Sequence, residues 1–179
     1  MSADLSNNHF ELFGLPVDFN VDVPALSERY RDLQKTVHPD RFANASDRDR
    51  RLAVQQAALI NEAFHILKSP LKRARYMLEL RGVEFDDQHA TSFEPEFLME
   101  QMELRESLAT IRGQPDPLGS LSALMQDVEK KSTIMISQLA TFIEQDDLEQ
   151  AKSQFHKLQF LEKLLHECEA MEEELVDLA

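Results

Sequence analysis

The sequence predicts an all-α protein, with an amino-terminal helical hairpin joined to a carboxy-terminal three-helix bundle. Three observations carry that prediction. Only four of 179 residues are glycine, while Leu, Gln, Glu and Ala are abundant, a composition that favours helix. Hydrophobic residues make up 42% of the chain, enough to bury a core in one or two domains. Apolar residues recur at helical spacing, in stretches punctuated by capping and turn residues.

The hairpin comes first. Leu26, Tyr30, Leu33 and Val37 give one helix an apolar face. Asp22 is placed to cap it, and Pro24 is tolerated in the first turn, where no intrahelical donor is needed. Pro39 ends this helix at or before His38, because the residue preceding a proline is pushed out of helical geometry. Ser46, with Asp49 three residues on, starts the next helix, whose predicted stripe is Leu52, Gln56, Leu59, Ala63 and Leu67. Two such helices fold back on each other and leave His38, Pro39 and Asp40 at the exposed tip.

Ser69-Pro70 breaks the second helix and starts a short one from Leu71 to about Arg81, closed by Gly82. Val83 to Phe93 is polar and irregular, an expected loop. A helix from Glu94 to Arg112 follows, then a turn region from Gly113 to Gly119. Helices from Leu121 to Ile143 and from Asp147 to Val176 complete the chain, with Asp146-Asp147 as their tight connection. Three long helices with short connections are expected to pack as an antiparallel bundle. The expected domains are therefore residues 1–75 and 76–179.

Charge separates the same two parts. Residues 1–75 hold 11 Lys+Arg against 10 Asp+Glu, whereas residues 76–179 hold 8 against 23, giving the chain its net charge of −14. So acidic a protein lacks the basic surface that nucleic acid requires. The asymmetry suggests different partners for the two parts, although an acidic helical surface also serves solubility alone. No apolar run approaches a membrane span, and the amino terminus lacks a basic region followed by an apolar one, so a soluble, cytoplasmic protein with no membrane partner is expected. The single cysteine rules out an internal disulfide and fits a reducing compartment. Cys168 and His166 are two apart on a predicted helix and point in nearly opposite directions, so they cannot hold one ion together. An iron–sulfur cluster needs about four thiolates. No metal or cofactor is expected, and Cys168 is read as core.

Two features exceed what a helical core requires. The first is His38-Pro39-Asp40. A catalytic reading, with His38 as a base oriented by Asp40, finds no nucleophile, phosphate loop or oxyanion site nearby, so no enzymatic activity is expected. A structural turn, with Asp40 bonding to nearby backbone, is compatible with a binding role. The second is the helix from Glu94 to Arg112. Phe97, Gln101, Leu104, Leu108 and Ile111 share a face suited to the core. Leu98, Met99, Met102 and Glu106 fall on nearly the opposite face, with Glu103 at its flank, and an apolar patch rimmed by carboxylates suits a partner. In the last helix Phe160 points roughly away from Ala151, Phe155, Leu158 and Leu165. A central helix also touches neighbours on two sides, so a second stripe also reads as more core.

The first 75 residues resemble a J-domain. The matching residues are His9-Phe10-Glu11-Leu12-Phe13-Gly14-Leu15-Pro16, Tyr30-Arg31-Asp32-Leu33-Gln34, His38-Pro39-Asp40-Arg41-Phe42 and Ile60-Asn61-Glu62-Ala63-Phe64, in order and spacing. Beyond them the chain resembles the HscB family, co-chaperones of iron–sulfur cluster assembly. This likeness runs through Pro70-Leu71-Lys72-Arg73-Ala74, the stretch from Phe97 to Glu106, and Leu158-Gln159-Phe160-Leu161-Glu162-Lys163-Leu164. The J-domain resemblance implies that the loop of His38, Pro39 and Asp40 docks on a DnaK-type, HscA-like chaperone and stimulates its ATP hydrolysis; Arg31 and Lys35, one turn apart on the solvent side of the preceding helix, are expected with Arg41 to steer the module toward an acidic surface of that chaperone. The second resemblance implies that Leu98, Met99, Met102, Glu103, Glu106 and Phe160 hold the scaffold protein IscU for cluster transfer. Met102 stands where the family is expected to carry leucine, a swap that keeps the apolar volume. The cysteine-rich metal module of some relatives has no counterpart here. A general J-protein delivering unfolded clients is the alternative, and a purely structural helical protein is a third reading.

Overall fold

Capping chemistry sets most of the helix boundaries in the computed structural model, which describes residues 8–42, 45–85 and 94–177. The chain divides into two compact units, Met1–Leu80 and Arg81–Ala179. The first contains helices α1 (His9–Leu12), α2 (Val23–Val37), α3 (Asp47–Lys68) and α4 (Pro70–Leu80), with a 3-10 turn at Pro39–Phe42 between α2 and α3. The second contains α5 (Pro95–Thr110), a 3-10 turn at Ile111–Gly113, α6 (Pro117–Glu144) and α7 (Leu148–Asp177). No strand occurs among the described residues.

In the first unit the Asp22 carboxylate accepts from Ala25 N at 3.0 Å and Pro24 sits in the first turn of α2. Ser46 Oγ accepts from Asp49 N at 3.2 Å and donates to the Asp49 carboxylate at 2.7 Å, closing the start of α3. α3 is the central helix, packed against α1, α2 and α4. Its buried residues are Ala53, Ile60, Ala63, Phe64 and Leu67. Ala63 and Leu67 are buried as the predicted stripe requires, whereas earlier in the helix burial falls one position on, at Ala53 and Ile60. Leu52 is 42% exposed and Leu59 half-buried, because α3 is covered from several sides and its buried face is set by those neighbours together. Tyr30 of α2 stacks on Phe64 with ring centroids 4.1 Å apart and donates to Asn61 Oδ1 at 2.8 Å.

Arg29 ties the start of the chain to α2 by donating to Phe13 O at 2.5 Å and Gly14 O at 2.6 Å. Gly14 has φ +60°, the left-handed conformation that favours glycine. Arg73 is buried, donates to Leu67 O at 2.7 Å and lies 5.0 Å from the Phe19 ring centroid, so its charge is offset by a helix-end carbonyl and an aromatic face. The division between units falls after Leu80, past the boundary at residue 75 expected from sequence, because α4 packs against α3 along the first unit.

In the second unit α6 and α7 form the main pair, with α5 packed on both. Their buried residues include Leu121, Val128, Leu139 and Ile143 from α6, Ala151, Phe155, Leu158, Leu161 and Leu164 from α7, and Phe97 and Leu108 from α5. α6 starts at Pro117 rather than Leu121. Asp116 caps it through Gly119 N at 3.0 Å, so the Pro-Leu-Gly stretch expected as a turn is the first helical turn. Asp146, at φ +58°, makes the reversal into α7, and Asp147 caps Gln150 N at 3.2 Å. Arg81 donates to Ile143 O and lies 3.2 Å from Asp146 Oδ1, covering the end of α6. Residues 86–93 of the expected Val83–Phe93 loop lie outside the described residues.

Candidate functional site

Two candidate surfaces arise, one in each unit. The first is the reversal after α2. His38 leaves helical geometry at φ −59°, ψ 133°, as proline in the next position requires, and the 3-10 turn Pro39–Phe42 carries the chain toward α3. Arg41 N donates to His38 O at 3.0 Å, closing that turn. The His38 ring points into solvent, its side chain 57% exposed, and Asp40 beside it is more exposed still. Asp40 N lies 3.3 Å from His38 Nδ1 and the Asp40 carboxylate lies 3.5 Å from the same atom. Nδ1 thus faces the turn, and Nε2 makes no hydrogen bond with any described residue. The structure thus brings His38 and Asp40 together at the hairpin end.

The flanking cations behave differently from one another. Arg31 and Lys35, four residues apart, are exposed on one side of α2. Lys35 pairs with Asp32 at 2.9 Å, a contact with both side chains largely in water and little stabilising value. Arg41 folds back, with a guanidinium nitrogen 3.4 Å from Lys35 O at the end of α2. Its position serves the turn as much as any partner.

The second surface lies on α5. Phe97 and Leu108 are buried against the bundle, whereas Leu98, Met99 and Met102 are 44%, 64% and 70% exposed, with Glu103 and Glu106 exposed beside them. The three apolar side chains contribute little to the core that their own helix fills from its other face.

Phe160 is placed differently from the outward orientation expected. It is half-buried against α5, with its ring 6.0 Å from Phe97 in an edge-to-face contact. The Arg105 guanidinium covers it at 5.3 Å. Arg105 follows Leu98 by seven residues and so lies on the same side of α5, which puts Phe160 along the Leu98 flank of the patch. Sequence spacing gives no reason to single out Arg105. Its role emerges only from the packing of α5 on α7.

No group of three or more His, Cys, Asp or Glu side chains placed to hold a metal ion occurs among the described residues. Cys168 is fully buried, and burial with the neighbouring Glu167 and Glu169 carboxylates raises its thiol pKa. His166 is exposed and 3.0 Å from Glu169, whose hydrogen bond raises the imidazole pKa. The two residues do not converge.

Residues 93–169 match the family described as the HSCB C-terminal oligomerisation domain. The chain is 46% identical over 169 residues to a co-chaperone protein HscB homolog of Vibrio cholerae, covering 94% of this chain and 99% of that protein. Its fold is similar to the solved chaperone HscB from Vibrio cholerae, with TM-score 0.87 over 94% of this chain and 99% of that one. Human co-chaperone HscB is similar at TM-score 0.88 and 27% identity, over 96% and 85% of the two chains.

Proposed function

The chain belongs to the HscB family of co-chaperones, with an amino-terminal J-domain and a carboxy-terminal helical bundle, and we propose that it acts as an adaptor with no chemistry of its own. The J-domain docks through His38, Pro39 and Asp40 on a DnaK-type, HscA-like chaperone and stimulates its ATP hydrolysis. The bundle holds an IscU-type iron–sulfur scaffold through Leu98, Met99, Met102, Glu103, Glu106 and Phe160, and delivers it to that chaperone for cluster transfer.

The observation that carries this reading is the exposure of Leu98, Met99 and Met102 on a helix whose opposite face is core. Burying them against a partner recovers transfer free energy that the fold leaves unused. Methionine adapts its shape to a second surface, and Glu103 and Glu106 restrict which surfaces are accepted. The 3-10 turn supports the chaperone contact, because a short closed turn loses little conformational freedom on docking. Arg31 and Lys35 steer the module toward an acidic surface. Holding both partners on one chain raises the effective concentration of scaffold beside chaperone.

Steady-state ATPase of an HscA-type chaperone tests the proposal. Synergistic stimulation by this protein and IscU together is expected; stimulation indifferent to IscU would leave a general J-domain co-chaperone delivering unfolded clients. The family description of the matched bundle favours one further reading, in which the same patch joins copies of this chain. Sedimentation across a concentration series separates the two, because self-association predicts a mass that rises with concentration and falls in Leu98→Ala.

A further inference from the structure

The flank of α5 toward α6 carries a feature that an apolar docking face does not require. A cleft of about 590 Å³ opens there between α5, α6 and α7. Phe97, Met135 and Gln154 line it together with Met99, Glu96 and Glu103 of α5. Two other lining carboxylates are already matched: Glu94 pairs with Lys157 at 2.8 Å, and Glu100 pairs with Lys131. Lys157 also lies 5.6 Å from the Phe97 ring centroid, so its charge is committed. Glu96 and Glu103 pair with no cation among the described residues. Seven residues apart, they stand on one side of α5, about 10 Å from each other along its axis.

The cleft also holds an acceptor without a donor. Gln154 is only 8% exposed. Its Nε2 donates to Met135 O at 3.2 Å and to Gln138 Oε1 at 2.8 Å, which fixes the orientation of the amide. Oε1 receives no hydrogen bond from any described residue. This oxygen is not sealed from solvent but open to a donor that enters the cleft.

These groups specify a guest. The unmatched oxygens of Glu96, Glu103 and Gln154 accept, two of these residues carry negative charge, and Phe97, Met99 and Met135 offer apolar surface for a methylene stem, while the exposed Gln138 adds an amide donor to the lining. A long cationic side chain meets all three conditions, with its stem on the apolar lining and its donors on the oxygens. Met99 and Glu103 belong both to this cleft and to the exposed α5 face, so an occupant of one is continuous with an occupant of the other. We propose that the cleft receives a lysine or arginine side chain of the scaffold protein held on that face, which extends the docking surface to Glu96 and Gln154. The inference rests on the scaffold-binding reading above.

Calorimetric titration of the full chain with an IscU-type scaffold tests both. Glu96 is exposed, so Glu96→Lys keeps the fold; it is expected to weaken binding about tenfold and to flatten the salt dependence. Glu172→Lys, an exposed reversal of the same charge on α7, is expected to stay within about twofold. Replacing the matching scaffold Lys or Arg by Glu is expected to restore affinity for Glu96→Lys. Weakening by Leu98→Ala with unchanged binding of Glu96→Lys would overturn the cleft alone. Unchanged binding of Leu98→Ala would overturn the scaffold reading and the cleft with it. Equal weakening by Glu96→Lys and Glu172→Lys would reduce the effect to net charge and also overturn the cleft.

Discussion

Truncating Met102 separates a binding role from a folding role more sharply than any other change on α5. Met102 is 70% exposed, so the fold buries at most about a third of its side chain. Full burial of a methionine contributes roughly 1.5–3 kcal/mol, so Met102→Ala is expected to cost the fold no more than about 0.5–0.9 kcal/mol. The higher helix propensity of alanine offsets part of that. In a chain of this size each kcal/mol shifts the midpoint by about 2–4 °C, so the thermal transition should move by less than about 4 °C. Leu108, on the opposite face, is 7% exposed, and Leu108→Ala is expected to cost about 2–5 kcal/mol. Binding should rank the residues the other way. An anchor at the centre of an interface contributes about 2 kcal/mol or more, which is roughly thirtyfold in Kd for Met102→Ala. Circular dichroism melts and calorimetric titration with IscU read the two quantities on the same samples. A melt lowered by about 10 °C or more with unchanged scaffold affinity would refute the assignment of this face to a partner.

His38→Gln is expected to abolish ATPase stimulation while helix content and scaffold affinity stay at wild-type values, since the ring is exposed and holds no part of the core; chaperone ATPase with parallel scaffold titration checks this. Phe160→Ala should affect both fold and binding, losing about 2–3 kcal/mol of stability with its contacts to Phe97 and Arg105, together with scaffold affinity. A pH effect is expected at His9, which stacks on Tyr76 at 4.3 Å and whose pKa burial holds below 6.5, against a smaller opposing pull from Glu62. The unfolded chain then binds more protons than the folded one as pH falls through 6.5, so this contribution to stability is intact above 6.5 and declines below it. Denaturant titrations across that range should show the decline in the wild type and its loss in His9→Phe, which keeps the stacked ring. Cys168 should react with thiol reagents only as the bundle unfolds, because it is buried and its thiol pKa is raised; the reaction rate should follow the unfolding curve in denaturant.

Much of this was legible because short-range chemistry decides helix ends. Asp22, Ser46 and Asp147 cap where a side-chain acceptor precedes an apolar period, and Pro39 stops α2 regardless of its surroundings. Asp116-Pro117-Leu118-Gly119 was harder, since the same residue types make a turn or a capped first helical turn, and only the continuation of α6 decides between them. The side of α3 that is buried depends on the several helices around it, so Leu59 and Ile60 exchange roles between wheel and structure. The exposed face of α5 could be read because Leu98, Met99 and Met102 oppose Phe97 and Leu108 on one helix. Neither the cover of Arg105 over Phe160 nor the cleft could be read, because Glu96, Met135 and Gln154 meet only when three helices pack.

The most direct test of the adaptor mechanism mixes two half-active variants in one assay. His38→Gln keeps the bundle surface, and the triple replacement of Leu98, Met99 and Phe160 by alanine keeps the chaperone-docking loop. With HscA-type chaperone and IscU at limiting concentrations, the wild-type chain is expected to stimulate ATP hydrolysis synergistically. The mixture of variants is expected to fall to the level of the triple variant alone, because no single chain then joins both partners. Restoration of wild-type synergy by the mixture would contradict the account, since it would mean that the two units need not share a chain.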